Sequence, residues 1–243
     1  MFTTLKALIF DVDGTLADTE SVHCAAFNLA FKELDLDWHW NEVLYTDLLK
    51  IAGGKERILY FWKMHDPDHM DNSRVGEMVD RIHRAKTRHY EQLVKSGELP
   101  LRSGVQDLIE QAYAAQLPMA IATTTTPENI EVLLGMNLGK DWRKYFVAVC
   151  DASSVKIKKP APDVYLRALE LLGLNGADCM AFEDSENGFR AAALAGIPTI
   201  ITPTKFTQYH QFDQALRVLP QLNDVADLAT LQDWHRNMVP VPA

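Results

Sequence analysis

Asp11 and Asp13 stand one residue apart at the end of a short apolar run, Ala7-Leu8-Ile9-Phe10, and Gly14 follows at once. Four apolar residues are too few for a helix and read as a strand buried on both faces. A carboxylate at the carboxyl end of such a strand lies where open α/β sheets place their ligands. Gly14 lets the backbone turn sharply there, so that Thr15 leaves the plane of the sheet. Three more polar clusters follow candidate strands or lie beside them: Thr123 with Thr124 to Thr126, then Lys156, Lys158 and Lys159, then Glu183-Asp184. Singly, each has an ordinary explanation as a turn, an edge-strand run or helix cap, a solvated basic loop, or the cap of a helix near Asn187. Parallel strands would bring all four to one sheet edge. Carboxylates from two strands beside a lysine and hydroxyl donors compose a magnesium-dependent phosphoryl-transfer site. Mg2+ takes oxygen ligands, one or two of them carboxylates, while lysine, hydroxyls and backbone amides hold phosphoryl oxygens.

The elements that must position these clusters alternate. Strands are predicted at Met119–Ala122, Phe146–Cys150, Cys179–Phe182 and Pro198–Ile201. Between them fall helices at Ser103–Gln116, from Pro127 to Gly135, at Asp163–Leu172 ended by Gly173, and at Asn187–Ala195 stopped by Gly196. Units of this length imply an α/β fold with a doubly wound parallel, Rossmann-like sheet. The alternation is interrupted between about Asp18 and Leu93, where the sequence reads as helices alone. Asp18-Thr19 is a candidate N-cap, a second helix runs from about Lys55 to Met64, and a loop is expected at Asp66–Ser73. A long helix follows with the stripe Val75, Met78, Val79, Ile82, Ala85, His89 and Leu93 and a stop at Gly97. The expected organisation is a catalytic core of residues 1–17 and 97–243 with an all-helical cap inserted at 18–96. One more helix is expected between Asp224 and Arg236, with no function assigned.

Hydrophobic residues make up 47% of the chain and charged ones 23%, an ordinary globular balance, and the net charge is −9. That charge argues against nucleic acid or an anionic membrane as partner, and requires a phosphorylated substrate to be met by local cations or a metal. Cys24, Cys150 and Cys179 are scattered and odd in number, which suits a reduced compartment and forms no zinc spacing. With no signal or membrane-spanning run in view, the expectation is a soluble, cytoplasmic monomer.

Asp11-Val12-Asp13-Gly14-Thr15, Thr123 at a strand end, Lys159-Pro160-Ala161-Pro162-Asp163 and Glu183-Asp184-Ser185-Glu186-Asn187-Gly188 resemble the four successive motifs of haloacid-dehalogenase-type phosphohydrolases. The helical insert is similar to the cap of the beta-phosphoglucomutase and phosphoglycolate-phosphatase branch. Asp18-Thr19-Glu20 with His23, Trp38-x-Trp40, Gly53-Gly54-Lys55-Glu56-Arg57 and Ala85-Lys86-Thr87 look most like CbbY-type xylulose-1,5-bisphosphate phosphatases. The resemblance implies that Asp11 is a nucleophile forming an aspartyl-phosphate. Asp13 would be an acid and base with a pKa above that of an ordinary aspartate. Asp11, the carbonyl of Asp13 and Asp184 would hold Mg2+, with Glu183 bound directly or one shell out. Thr123, the amide of Thr124 and Lys159 would hold the phosphoryl group. Glu20 and His23 would offer acceptors to sugar hydroxyls, and Gly53, Gly54 and Lys55 or Arg57 would meet a second phosphate. Tyr45, Arg84 and Lys86 are further substrate-binding candidates, although a solvated helix face also explains Arg84 and Lys86. Hinges are expected near Ala17-Asp18 and Leu93–Gly97. A phosphomutase and a non-catalytic sugar-phosphate sensor are the alternatives; Gly14-Thr15-Leu16 and the intact set of acids and lysine lean away from them.

Overall fold

The structure, a computed structural model, describes residues 4–65, 72–97, 99–225 and 227–237. Six parallel strands form one sheet: β1 (Ala7–Phe10), β2 (Met119–Ala122), β3 (Ala148–Cys150), β4 (Cys179–Glu183), β5 (Thr199–Ile201) and β6 (Arg217–Val218). Their order is β3-β2-β1-β4-β5-β6, so the chain winds outward from β1 in both directions. The registers Phe10↔Ile121 and Phe10↔Phe182 level the strand ends, so that Asp11, Thr123 and Asp184 emerge at one edge. Sequential strand–helix units explain the uniform direction, because each right-handed crossover returns the chain to the same end of the sheet.

Helices cover both faces. On one side α5 (Val105–Ala114), α6 (Pro127–Leu138) and α9 (Leu228–Arg236) pack through Val105, Ile109, Leu133 and Leu231 against Leu8, Phe10 and Phe182. Phe10 and Phe182 stack there with ring centroids 4.7 Å apart. On the other side α7 (Asp163–Leu172) and α8 (Glu186–Leu194) bury Val164, Tyr165, Ala191 and Ala192 against Ile9, Ala120 and Ala181. Between β1 and α5 the described residues form four helices and no strand: α1 (Glu20–Glu33), α2 (Glu42–Leu48), α3 (Gly54–His65) and α4 (Asn72–Ser96). They share their own cluster of Phe27, Phe31, Trp40, Tyr45, Ile58, Phe61 and Ile82. The chain leaves and re-enters the core side by side, where Ala17 bridges Leu101 antiparallel.

Several boundaries differ from expectation for physical reasons. Helix α6 runs through Gly135 and stops at Gly139, whose φ of 83° an L side chain rarely adopts. A 3₁₀ turn at Trp142–Tyr145, anchored by the buried Trp142, delays β3 to Ala148. Asn41, accepting from the Leu44 amide at 2.9 Å, starts α2, a further helix of the insert. Asp227 caps α9 through the Thr230 amide at 2.8 Å, so that helix begins at Leu228. Strand β6 has two exposed residues and no apolar run to announce it. The loop expected at Asp66–Ser73 falls mostly outside the described residues.

Phe10 is fully buried at the middle of the sheet. Replacing it by alanine should destabilise the protein by about 3–5 kcal/mol, read from the midpoint of urea unfolding.

Candidate active site

At the end of β1, Asp11 meets the side chain delivered by the loop before α7. Lys159 Nζ donates to Asp11 Oδ1 at 2.6 Å, to Glu183 Oε1 at 2.5 Å and to the Ala122 carbonyl at 2.9 Å, all buried. Tyr165 from α7 donates to the same Glu183 oxygen at 2.6 Å. Lys158 turns away to the carbonyls of Ala152 and Val155, and Lys156 is exposed, so of the basic run Lys159 alone enters this cluster. Ser185 caps α8 through the Gly188 amide at 3.2 Å, which leaves Glu183 and Asp184 free of capping duty. Likewise Thr126 caps α6, leaving Thr123 and Thr124 to line the cleft.

Asp11, Glu183 and Asp184 each present an oxygen within 4.8 Å of the others. Burial lifts the Asp11 carboxyl to about 7, with Glu183 adding to the effect and Lys159 opposing it. Burial, then Asp11 and Glu183, push Asp184 well above the usual carboxylate range. The second Glu183 oxygen, Oε2, is buried without a hydrogen-bond partner among the described residues. One lysine does not offset three crowded acids, and an all-oxygen donor set fits a hard divalent cation such as Mg2+. Two glycines make room for these acids. A Cβ on Gly14, whose φ is 79°, would lie 2.3 Å from Asp184 Oδ2, and one on Gly188 would lie 2.0 Å from Glu183 Oε2.

Asp13 turns away from that group toward the helical insert. Thr19 Oγ1 donates to Asp13 Oδ1 at 2.7 Å, which is why the residue preceding α1 gives no side-chain cap. His23 Nε2 lies 2.9 Å from the same oxygen, and Lys86 Nζ lies 2.8 Å from His23 Nδ1. A charged ammonium only donates, so His23 Nδ1 accepts and Nε2 carries the hydrogen given to Asp13. Burial alone would raise Asp13, but His23, Thr19 and Lys86 overcome it and hold the carboxyl well below the usual range. This departs from the elevated value expected of it. Lys86, His23 and Asp13 instead form one continuous hydrogen-bonded chain.

Lys86 is buried over the rings of Phe27 and Tyr90 rather than on a solvated face, and burial brings its pKa down to about 8. His23 has both ring nitrogens engaged and no spare acceptor for a sugar hydroxyl. Glu20 does line the cleft, held by the Tyr45 hydroxyl at 2.6 Å. Tyr45 itself sits behind it, accepting from Arg57 Nη1 at 3.2 Å. Arg57 also donates to the carbonyls of Leu48 and Ile51 and faces the cleft with Gly53 and Gly54 at the start of α3. Lys55 is directed elsewhere, pairing with Asp80 at 2.6 Å, and Arg84 is exposed.

The cleft, with a cavity volume of about 100 Å³, lies between the sheet edge and the insert. It also takes in residues not anticipated from the sequence: His83, Asn129, Asn187, Thr207 and His210. His83 packs against Gly54, and burial followed by the nearby Lys86 and Lys55 lowers its pKa to about 3, keeping it neutral. Arg102 was also unforeseen. Its guanidinium donates to the carbonyls of Gly14, Thr202, Pro203 and Pro220, tying the loop that carries Asp13 to the loops after β5 and β6.

The chain matches the haloacid dehalogenase-like hydrolase family over residues 5–196. It belongs to that family. The protein CbbY of Cupriavidus necator, carried on a plasmid, is 55% identical over 246 residues, covering 95% of this chain and 97% of its own. The crystal structure of CbbY from Rhodobacter sphaeroides in complex with phosphate is 40% identical and superposes with a TM-score of 0.86, over 93% of this chain and 99% of that one. A mutant of the same protein in complex with xylulose-1,5-bisphosphate gives 39% identity and the same TM-score and coverage. The chain is therefore a phosphatase of the haloacid dehalogenase-like type. A beta-phosphoglucomutase from Clostridium difficile, at 20% identity and a TM-score of 0.76, shares the fold. Among the described residues, no helix is long and apolar enough to cross a membrane.

Because Lys86 is charged only below its lowered pKa of about 8, the donor chain to Asp13 loses its outermost proton as pH rises through that value. The turnover number should fall across that window. Lys86→Met should abolish this limb and lower kcat by about a hundredfold at neutral pH, both read from a pH–rate profile of phosphate release.

Proposed function

We propose that this phosphatase removes one phosphate from a small sugar bisphosphate, xylulose 1,5-bisphosphate being the first candidate, through an aspartyl-phosphate on Asp11. The observation that carries the reading is the pairing of two cationic or amide-lined ends across one cleft. One end is Lys159 with Thr123 and Thr124, and the other is Arg57 with Gly53 and Gly54 at the N-terminus of a twelve-residue helix. Helix N-termini favour phosphate through free amides and the helix dipole. Arg57 is held by two carbonyls and a tyrosine hydroxyl, so its charge is fixed in place before substrate arrives. Likeness to the protein whose structure holds xylulose-1,5-bisphosphate supports the same choice.

In this reading Asp11 attacks phosphorus in line while Lys159 and the threonine loop hold the phosphoryl oxygens. Asp13, supplied through His23 and Lys86, gives a proton to the departing sugar oxygen and then takes one from the water that cleaves the acyl-phosphate. Glu20, oriented by Tyr45, accepts from a sugar hydroxyl. Asp11, Asp184 and the carbonyl of Asp13 hold Mg2+, with Glu183 beside them. The bound ion supplies charge neutralisation between carboxylate and phosphate. The insert, residues 18–96, acts as a cap over the core formed by residues 1–17 and 97–243.

Phosphate release from a panel of sugar mono- and bisphosphates, with and without Mg2+, tests the whole assignment. Metal-dependent preference for xylulose 1,5-bisphosphate, lost in Asp11→Asn, is expected; equal release from every substrate would reject the bisphosphate reading. A hexose 1-phosphate with its bisphosphate belongs in the panel, since formation of a hexose 6-phosphate would mark a mutase. Arg57→Ala should raise KM for the bisphosphate by about one to two orders of magnitude while leaving KM for a simple aryl phosphate nearly unchanged. Equal effects on both substrates would place the second phosphate elsewhere.

A further inference from the structure

One residue of the core chain lies among the aromatic side chains of the insert. Phe206 follows β5 by five positions, yet it is only 2% exposed and shares the buried cluster of Phe27, Trp40 and Tyr45. Its ring meets that of Tyr45 edge-on at 6.1 Å. Tyr45 is the residue that orients Glu20 and contacts Arg57. The next residue faces the opposite way. Thr207 is buried, and its hydroxyl lies 3.2 Å from Asp184 Oδ2, to which it donates.

The two residues sit on one closed turn. The amides of Thr207 and Gln208 both donate to the Thr204 carbonyl, at 3.1 and 2.9 Å, and the Phe206 amide donates to Thr204 Oγ1 at 3.2 Å. The Thr204 amide in turn donates to Thr207 Oγ1 at 2.9 Å, so the hydroxyl that faces Asp184 also closes the turn. Arg102 anchors the base of the turn through the carbonyls of Thr202 and Pro203. Rotation of the insert away from the core must therefore either withdraw Phe206 from its cluster or pull the turn, and Thr207 with it, off Asp184. Withdrawal would expose the buried Phe206 ring to water, an unfavourable transfer. By contrast, the exposed pair of Lys205 with Glu42 at 2.7 Å adds little.

We propose that Phe206 and Thr207 form a coupled pair of positioning residues, in which seating of Phe206 in the insert holds the Thr207 hydroxyl on Asp184 and so orients that carboxylate when the insert covers the site. This rests on the reading of Asp184 as a ligand of Mg2+. Hydrogen bonds to a ligating carboxylate fix its rotamer, and losing one weakens metal binding. Coupling is reciprocal, so Mg2+ at Asp184 favours the covered state by the same factor by which covering favours Mg2+.

The test is Mg2+ binding to the full chain, measured by titration calorimetry without substrate. Thr207→Val should weaken Mg2+ binding about tenfold, and Thr207→Ser should restore it. Phe206→Ala should weaken binding by a similar factor although its ring belongs to the insert's cluster, and the double variant should bind no more weakly than the weaker single one. Wild-type affinity in folded Phe206→Ala, or in Phe206→Leu should the alanine variant fail to fold, would overturn the coupling. Multiplying effects in the double variant would overturn it too. If the wild-type chain bound no Mg2+, the metal reading itself would fall, a result distinct from either of these.

Discussion

Burying three carboxylates together at the end of a parallel sheet is the constraint on which the rest of this structure depends. Asp11, Glu183 and Asp184 repel one another in a site where water cannot screen them. Lys159 answers part of that charge from within, hydrogen-bonded to two of the three acids. Burial works against the ammonium, yet Asp11 and Glu183 keep it firmly protonated. What remains is a set of carboxyls pushed toward their protonated forms and, on Glu183, a buried oxygen with no hydrogen-bond partner among the described residues. Such a site is unfavourable unless a cation or phosphate chemistry makes use of it. The sheet tolerates it because strands β1 and β4, fully buried and paired in register, fix the acids on adjacent strand ends.

Two aspartates separated by one residue are driven in opposite directions by what each faces. Asp11 looks along the sheet edge at other acids and has its pKa raised to about 7 by burial and by them. Asp13 looks up at α1 and α4 and is held low by His23, Thr19 and Lys86 despite burial. Environments that push neighbouring groups apart mark different duties in one reaction. The core supplies the surroundings of Asp11, through β2, β4 and the Lys159 loop. The insert supplies those of Asp13.

The core half of the site was legible because its signals are local. A buried strand, a turn glycine and a carboxylate occupy eight consecutive residues, and the same grammar recurs at Thr123 and at Glu183-Asp184. The insert half was less legible because its contacts join residues distant in sequence. Lys86 meets His23 across 63 positions, and Tyr45 reaches Glu20 across 25. One signal was present all the same. Lys86 falls on the line Ile82, Lys86, Tyr90, at spacings of four on the buried face of α4, where a lysine must have partners. Lys55 had the opposite fate: its neighbours Gly53, Gly54 and Arg57 face the cleft, but one helical turn carries its side chain outward to Asp80. Phe206 lies in a stretch with no periodicity at all, so neither its burial nor its place in the insert's cluster had a local sign.

The division of labour between core and insert has a chemical consequence. Asp11, Lys159 and Glu183 belong to the core and are tied to one another by hydrogen bonds among core residues. Asp13 accepts from Thr19, just before α1, and from His23 of α1, to which Lys86 of α4 donates in turn. If the insert were displaced, Asp13 would lose His23, the strongest of the groups that hold its carboxyl low. With it in place, the carboxylate joins a donor chain ending at a lysine buried between two aromatic rings. In the proposed reading, attack on phosphorus needs the core, whereas proton delivery to a leaving oxygen needs both parts. A phosphorylated compound that reaches the sheet edge without drawing the insert down thus meets a nucleophile but no organised acid. Selectivity then follows from the far end of the cleft, where Arg57 and the start of α3 give a second anionic group something to hold. Such a group contributes to rate by keeping the insert over the site, not by touching the reacting atoms.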